Sequence, residues 1–99
     1  MVYKYKDTIT TVAGSASGNT LPLHGICKYI YIEPTTATTT YNVTITDDDN
    51  HTVKNFDLRF FKGAMRDFTE FVVQGIYTIS ISNATANEAF TVKMLVREL

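Results

Sequence analysis

The chain has 99 residues, a length typical of one domain with one modest core. Its formal net charge is −1 and no run of basic residues occurs, so the electrostatic footprint of a nucleic-acid-binding protein is missing. Charged residues make up 19% of the chain, below the roughly 25% of average soluble domains. Threonine fills much of the difference at 16 positions, and its branched Cβ favours strands.

The N-terminal MVYKYKDTITTV carries charges where a signal peptide needs an apolar stretch. No window contains the roughly 18 apolar residues of a membrane span. We therefore expect neither export by that route nor a membrane partner. Cys27 is the single cysteine, so an internal disulfide is impossible, which fits synthesis in a reducing cytosol.

The first predicted element is a strand over residues 2–12, followed by a linker of small residues over 13–20. We expect this strand to behave as a mobile arm. The predicted organisation is therefore an N-terminal arm and linker over residues 1–19, joined to a single β-sandwich domain over residues 20–99.

Residues 25–33 form the next predicted strand, which is apolar on both faces. Alternation gives one face three isoleucines and a lysine, namely Ile26, Lys28, Ile30 and Ile32. The opposite face carries Cys27, Tyr29 and Tyr31. Pro34 cannot continue a ladder, so a threonine-rich connection follows over residues 35–39.

Residues 40–47 and 75–82 alternate strictly between apolar and polar side chains, which predicts two strands. The positions predicted to face the core are Tyr41, Val43, Ile45, Tyr77, Ile79 and Ile81. The positions predicted to face outward are Asn42, Thr44, Thr46, Thr78, Ser80 and Ser82. Each segment precedes an Asp- or Asn-rich cluster, at 47–50 and 83–87, and a further apolar strand, which predicts two hairpins. The similarity of the two segments has two possible origins. Either the segment was duplicated, or the same strand-and-turn structure selected similar residues independently.

The outward positions of these strands lack the lysine and glutamate that normally discourage edge pairing on exposed sheets. Either a neighbouring chain covers these surfaces, or the β-propensity of threonine is a sufficient explanation. Both interpretations stay open at this point.

Residues 56–73 fit two patterns. The spacing of their apolar residues is compatible with a short helix around residues 60–72, but Gly63 would cost a helix about 1 kcal/mol relative to alanine. We favour two strands joined by a turn around Lys62 and Gly63. The fold class is then all-β, an antiparallel β-sandwich of about seven strands.

The residue types that carry chemistry are few and scattered. His24 and His51 are interpreted as strand-entrance and loop residues, and Cys27 as an inert strand cysteine. Asp47, Asp48 and Asp49 could gather around a hard cation, but the spacing is not that of an EF-hand and an acidic turn explains it. We predict no enzyme activity, no catalytic residue, no metal site and no cofactor.

Tyr29 and Tyr31 are the candidates for a surface that stacks on sugars, since tryptophan is absent. The alternative is that they lie partly buried under a loop or at a subunit contact, because tyrosine is enriched at protein interfaces.

The order of segments resembles the small β-sandwich virion proteins of tailed bacteriophages, over residues 21–99. The resemblance rests on Leu21-Pro22-Leu23-His24-Gly25, on Glu33-Pro34, on the Tyr-x-Val-x-Ile-x-Asp hairpin that begins at Tyr41, on residues 75–81, and on Phe90-Thr91-Val92. It implies a capsid decoration (cement) protein, or a similar module of necks, tails or fibres. It also implies assembly in the host cytoplasm, many copies per particle and no catalysis.

The predicted function is therefore a non-enzymatic virion structural protein, a decoration protein that bridges capsid subunits. The alternatives are a neck-, tail- or fibre-associated module and a carbohydrate- or receptor-binding β-sandwich. The expected partners are the major capsid protein or another virion protein and further copies of this chain, with a trimer favoured, but not nucleic acid or membrane. The predicted interface residues are Tyr3, Tyr5, Tyr29, Tyr31, Thr44, Thr46, Thr78 and Ser80.

Overall fold

A computed structural model describes residues 2–57, 62–68 and 70–98, and for Tyr3 the backbone alone. These residues form nine strands. They are β1 (Val2–Thr10), β2 (Ala16–Asn19), β3 (Leu23–Pro34), β4 (Asn42–Thr46), β5 (Thr52–Asp57), β6 (Met65–Asp67), β7 (Phe71–Gly75), β8 (Thr78–Ser82) and β9 (Ala89–Arg97). Within the described ranges no helix is long and apolar enough to cross a membrane.

The strands form two antiparallel sheets that pack as a sandwich. The five-stranded sheet has the order β1-β9-β3, and both β6 and β7 pair with β3. The four-stranded sheet has the order β2-β8-β4-β5. Alternate residues of both sheets point into one core. The predicted all-β sandwich is confirmed.

The core joins the two sheets through aromatic and β-branched side chains. Tyr41, which precedes β4, meets Phe90 of β9 edge to face, with ring centroids 4.8 Å apart and an angle of 65°. The largest fully buried side chains also include Ile30, Ile32, Ile45, Ile79, Ile81 and Met94. The alternation predicted for residues 40–47 and 75–82 is confirmed, since Val43, Ile45, Ile79 and Ile81 are buried and their polar neighbours are not.

The short helix considered around residues 60–72 is wrong for the described part of that range. Met65–Asp67 and Phe71–Gly75 are strands that pair with β3. Gly63 has φ of 81°, and a Cβ there would lie 2.8 Å from the carbonyl oxygen of Ala37, so it marks a turn. Residues 58–61 and 69 lie outside the described residues.

The linker predicted over residues 13–20 contains a strand. Ala16–Asn19 pairs with β8, which makes β2 an edge of the four-stranded sheet. Its small residues have a packing role, because a Cβ on Gly18 would lie 3.1 Å from Cγ1 of Ile9. This strand, and the division of the 65–75 region into β6 and β7, raise the strand count from about seven to nine.

One of the two predicted hairpins is confirmed and the other is wrong. β4 and β5 pair across the acidic turn, in which Asn50 adopts a positive φ of 64°. The polar cluster at 83–87 instead carries the chain from one sheet to the other, since β8 pairs with β2 and β4 while β9 pairs with β1 and β3. Both clusters do contain asparagines in the left-handed region, as turn residues should.

A β-bulge in β3 corrects the predicted faces of that strand. Cys27 pairs with Val96 and Tyr29 with Leu95, so Lys28 is an extra residue without its own partner on β9. The bulge shifts the alternation by one residue. Cys27 therefore shares the core face with Ile30 and is fully buried, whereas Ile26 lies on the outer face with Tyr29.

The strand of the predicted arm is an edge of the five-stranded sheet. All nine residues of β1 pair with β9, from Val2 opposite Arg97 to Thr10 opposite Ala89. Tyr5 and Ile9 are 8% and 5% exposed and belong to the core. The division into an arm over 1–19 and a domain over 20–99 stays a prediction.

Candidate functional site

The outer face of the five-stranded sheet carries a cluster of three aromatic rings. Tyr29 and Tyr31 alternate along β3, and their rings are nearly parallel at 8° with centroids 6.3 Å apart. Phe68, just after β6, lies against Tyr29 at 5.2 Å with its ring tilted by 44°. Phe68 is 71% exposed and Tyr29 is half-buried, so this pair is open to a partner.

Tyr31 is covered by its neighbours rather than by a partner. The guanidinium of Arg66 lies 5.1 Å and the ammonium of Lys93 lies 5.2 Å from its ring centroid. Its hydroxyl donates a hydrogen bond to Glu33 Oε2 at 2.6 Å, and this bond raises the pKa of the Tyr31 phenol. Tyr31 therefore orders the cations above it and leaves Tyr29 and Phe68 as the accessible rings.

A shallow groove of about 500 Å³ lies beside these two rings, within the range of small-molecule sites. Its lining residues are Lys28, Tyr29, Phe68, Glu70 and Leu95. Lys28, the bulge residue, donates a hydrogen bond from Nζ to Glu70 Oε1 across the groove. This bond lowers the pKa of Glu70, so its carboxylate is ionised at neutral pH. The groove thus offers a donor, an acceptor and an aromatic wall.

The outer face of the four-stranded sheet has a different character, with almost only hydroxyl and amide side chains. The register places Ser17, Ser80, Thr44 and Asn55 side by side, and Asn19, Thr78 and Thr46 in the next row. Thr78 donates to Asn19 Oδ1 at 2.9 Å, and Asn83 donates to Asn42 Oδ1 at 2.8 Å. This face, which we call the threonine face, was predicted from sequence for β4 and β8, while β2 and β5 extend it.

The eight predicted interface residues lie in separate places. Thr44, Thr46, Thr78 and Ser80 are together at the centre of the threonine face. Tyr29 and Tyr31 lie on the opposite side of the sandwich, and Tyr31 is only 8% exposed. Tyr5 is buried, with its hydroxyl 3.3 Å from Asp7 Oδ2, and the Tyr3 side chain lies outside the described residues. The interface role of all eight stays a prediction.

Asp47 and Cys27, which were considered for metal binding or catalysis, have contacts and burial that fit a structural role. Asp47 Oδ1 accepts backbone hydrogen bonds from Asp49 at 3.0 Å and His51 at 2.8 Å, which closes the β4–β5 turn. Cys27 is fully buried, and burial raises the pKa of its thiol. Within the described ranges, no three His, Cys, Asp or Glu side chains are grouped to hold a metal.

Sequence reasoning did not identify Lys28, Phe68, Glu70 and Leu95 as site residues. Phe68 and Glu70 lie in the stretch where helix and strand patterns conflicted, and Leu95 lies in a strand with no distinguishing motif. The signal that could have drawn attention to Lys28 is its charge inside an otherwise apolar strand.

No family model and no curated protein sequence matches this chain. Solved structures with a similar arrangement include a mutant of the lectin-binding domain of lectinolysin with Lewis b, at a TM-score of 0.48 and 12% identity, covering 99% of this chain and 72% of that one. The Yersinia pseudotuberculosis-derived mitogen has a TM-score of 0.46 and 10% identity over 100% and 88% of the chains. The carbohydrate-binding module CBM36 with calcium and xylotriose has a TM-score of 0.40 and 14% identity over 94% and 86%. At these values the likenesses carry no argument about function.

Proposed function

We propose that this chain is a non-enzymatic structural protein of a phage virion, a capsid decoration protein that docks through its threonine face and bridges capsid subunits. The observation that carries the proposal is the chemistry of that face. Eight of its side chains, Ser17, Asn19, Asn42, Thr44, Thr46, Asn55, Thr78 and Ser80, are neutral, and they lie in paired rows on a regular sheet. Docking through these eight side chains desolvates no charge, since the carboxylate of Asp57, opposite Asn42, lies on the edge strand β5, and each hydroxyl both donates and accepts.

The proposed partners are the major capsid protein or another virion protein, together with further copies of this chain in a closed ring such as a trimer. Assembly is proposed to occur in the host cytoplasm, without nucleic acid or membrane in the contact. The mobile arm expected over residues 2–12 is paired over Val2–Thr10 as β1 and contributes Tyr5 and Ile9 to the core. An arm contact would require strand exchange, in which β1 of one copy pairs with β9 of another.

The test uses particles of the phage that encodes the chain. Ser80→Lys places a charge at the centre of the threonine face, and Thr38→Lys places the same charge on an exposed connection. We expect the wild-type chain and Thr38→Lys at hundreds of copies per particle by quantitative mass spectrometry, and Ser80→Lys at less than a tenth of that number. Circular dichroism establishes that both variants fold. Equal incorporation of the two variants would contradict docking through this face, and a few copies per particle would favour a neck, tail or fibre position.

A second candidate, a carbohydrate- or receptor-binding module, is supported by the groove beside Tyr29 and Phe68. Aromatic rings stack on the apolar faces of sugars, and the Lys28–Glu70 pair supplies a donor and an acceptor for hydroxyl groups. A glycan array with wild-type protein, Phe68→Ala and Val12→Ala tests it. Val12 is a matched control because it is also exposed, at 73%. Binding that Phe68→Ala abolishes and Val12→Ala keeps would support this candidate, while an array without a positive glycan would eliminate it.

A further inference from the structure

Strand pairing assembles two parallel rows of side chains across the outer face of the five-stranded sheet. The first row crosses four neighbouring strands, and each of its residues pairs with the next. In order from β1 through β9 and β3 to β6 they are Lys6, Lys93, Tyr31 and Arg66. In the second row Lys4 lies opposite Leu95, which lies opposite Tyr29. Neighbours in a row are about 5 Å apart, and the rows are about 7 Å apart. A cationic row therefore runs beside an apolar and aromatic row.

This face holds most of the positive charge of the chain. Of the eight lysines and arginines in the described ranges, six lie there, namely Lys4, Lys6, Lys28, Arg66, Lys93 and Arg97. The carboxylates beside them are Glu33 and Glu70, together with Asp7, which lines a depression with Lys4 and Lys6 at the β1 edge. The described residues there carry a surplus of three positive charges on a chain whose net charge is −1, so the remaining residues carry a net negative charge. Such segregation steers anions to one side.

Lys6 lies directly opposite Lys93, which makes this pair a candidate binding position for an anion. Like charges directly opposite each other on neighbouring strands destabilise a sheet. Lys93 is also held over the Tyr31 ring, which limits how far its ammonium can move from Lys6. An anionic group between the two ammonium groups would remove their repulsion. It would bind in the cationic row, between β1 and β9, beside the apolar and aromatic row.

We propose that this face binds an acidic oligosaccharide, one whose sugar rings carry carboxylate or sulfate groups. A sugar ring would stack on Tyr29 and Phe68, and its acidic groups would pair with Lys4, Lys6 and Lys93. This inference deepens the second candidate function and rests on it. It is compatible with docking through the threonine face, which lies on the other side of the sandwich.

The carboxylates on the face favour a sugar over a single-stranded nucleic acid. Glu33 and Glu70 can accept hydrogen bonds from the hydroxyl groups of a sugar chain, which a single-stranded DNA backbone does not offer. Nucleic-acid platforms also stack successive bases on separate aromatic side chains. Here Phe68 is tilted against Tyr29 at 5.2 Å, and Tyr31 is covered by Arg66 and Lys93, so one stacking position is open.

The experiment measures the affinity of the whole chain by isothermal titration calorimetry for four probes. They are a hexamer of galacturonate, a neutral hexamer of xylose, a single-stranded DNA hexamer and a hexamer of glutamate. Lys4→Gln/Lys6→Gln removes two exposed cations of the rows, and Lys62→Gln removes an exposed lysine outside them. Phe68→Ala removes the stacking ring. Thermal unfolding of each variant establishes that it is folded.

We expect the galacturonate hexamer to bind at least 10-fold more tightly than the xylose hexamer. The Lys4→Gln/Lys6→Gln variant should weaken galacturonate binding 5- to 20-fold and leave xylose binding unchanged, while Lys62→Gln should change neither. Raising the salt concentration from 0.05 M to 0.5 M should reduce the difference in affinity between the galacturonate and xylose hexamers, because exposed charges are screened beyond a few ångströms at high salt. Phe68→Ala should weaken both sugars.

Three results would overturn the inference. Equal affinity for the two sugars would leave a glycan-binding module without preference for acidic ligands, so the second candidate function would stand and this inference would fail. Absence of binding to both sugars would overturn this inference, and the glycan array would then decide whether the second candidate function stands without it. Tighter binding of DNA or of the glutamate hexamer than of galacturonate would identify the face as a site for a nucleic acid or for an acidic protein surface.

Discussion

The hydroxyl of Tyr41 donates a hydrogen bond to the carbonyl oxygen of Gly63 at 2.7 Å, inside the core. Tyr41 is fully buried and leads into β4 of the four-stranded sheet, whereas Gly63 lies in the turn before β6 of the five-stranded sheet. The bond therefore holds that turn against the core. Because β6 carries Arg66 over Tyr31, a contact inside the sandwich supports the cationic row on its surface.

Replacing Tyr41 with Phe should lower the free energy of unfolding by about 1–3 kcal/mol, because the buried carbonyl of Gly63 loses its donor. Urea unfolding at pH 7 measures the change. Tyr29→Phe is the matched control, since that ring is partly exposed, and it should change stability by less than about 0.5 kcal/mol. Similar costs for both variants would show that the hydroxyl–carbonyl bond contributes little.

Deletion of Lys28 should destabilise the chain by more than about 3 kcal/mol. Without the bulge residue, the alternation of β3 before Tyr29 reverses, and buried Leu23 and Cys27 turn toward solvent. Exposing Leu23 alone costs about 1.5–3 kcal/mol. Lys28→Ala keeps the bulge and loses only an exposed ion pair with Glu70, so it should change stability far less than the deletion. Equal stability of the deletion and the substitution, by thermal unfolding, would refute the role of the bulge.

Ile9→Ala should cost about 2–5 kcal/mol, because Ile9 is 5% exposed and packs over Gly18 in the core. Val12→Ala, at a position 73% exposed, should stay within about 0.5 kcal/mol of wild type. Chemical denaturation of the two variants measures the difference. A neutral Ile9→Ala would mean that β1 is a dispensable arm. Deleting residues 1–13 cannot separate these possibilities, since it also removes Tyr5 from the core.

Glu88 should make the fold sensitive to acid. The Thr35 hydroxyl donates to its Oε2, and the Thr36 backbone N–H donates to the same atom at 2.7 Å. These hydrogen bonds lower the pKa of Glu88 below its ordinary 4.5, against the effect of burial. A lowered folded-state pKa gives stability that is present above pH 4.5 and is lost as the pH falls through the folded-state value.

Glu88→Gln should therefore be less stable than wild type at pH 7, and the difference should shrink as the pH falls below 4.5. Unfolding free energies between pH 3 and pH 7 measure this. Glu98→Gln, just beyond β9, is the control and should follow the wild-type curve. A constant difference between Glu88→Gln and wild type at all pH values would mean that the carboxylate charge has no part in holding the 35–39 connection.

Much of the fold could be predicted from local pattern, and the errors have specific causes. Alternation identified both faces of β4 and β8 because each of these strands pairs without a bulge across its apolar positions, from Val43 to Ile45 and from Ile79 to Ile81. The same rule failed in β3, where one unpaired residue, Lys28, reverses it. The cluster at 83–87 looked like a hairpin because turn chemistry is the same whether the next strand returns beside the last one or crosses to the other sheet.

The sequence by itself determined that the chain is all-β, that its core is built from alternating positions, and that β4 and β8 present hydroxyl side chains, since these properties depend on neighbours within one strand. Only the tertiary structure decided that Phe68 meets Tyr29 and that Lys6, Lys93 and Arg66 form one row. The physical reason is register. Lys6 and Lys93 are 87 residues apart in the chain, and no local preference of either residue encodes which strand will lie beside it or at which offset.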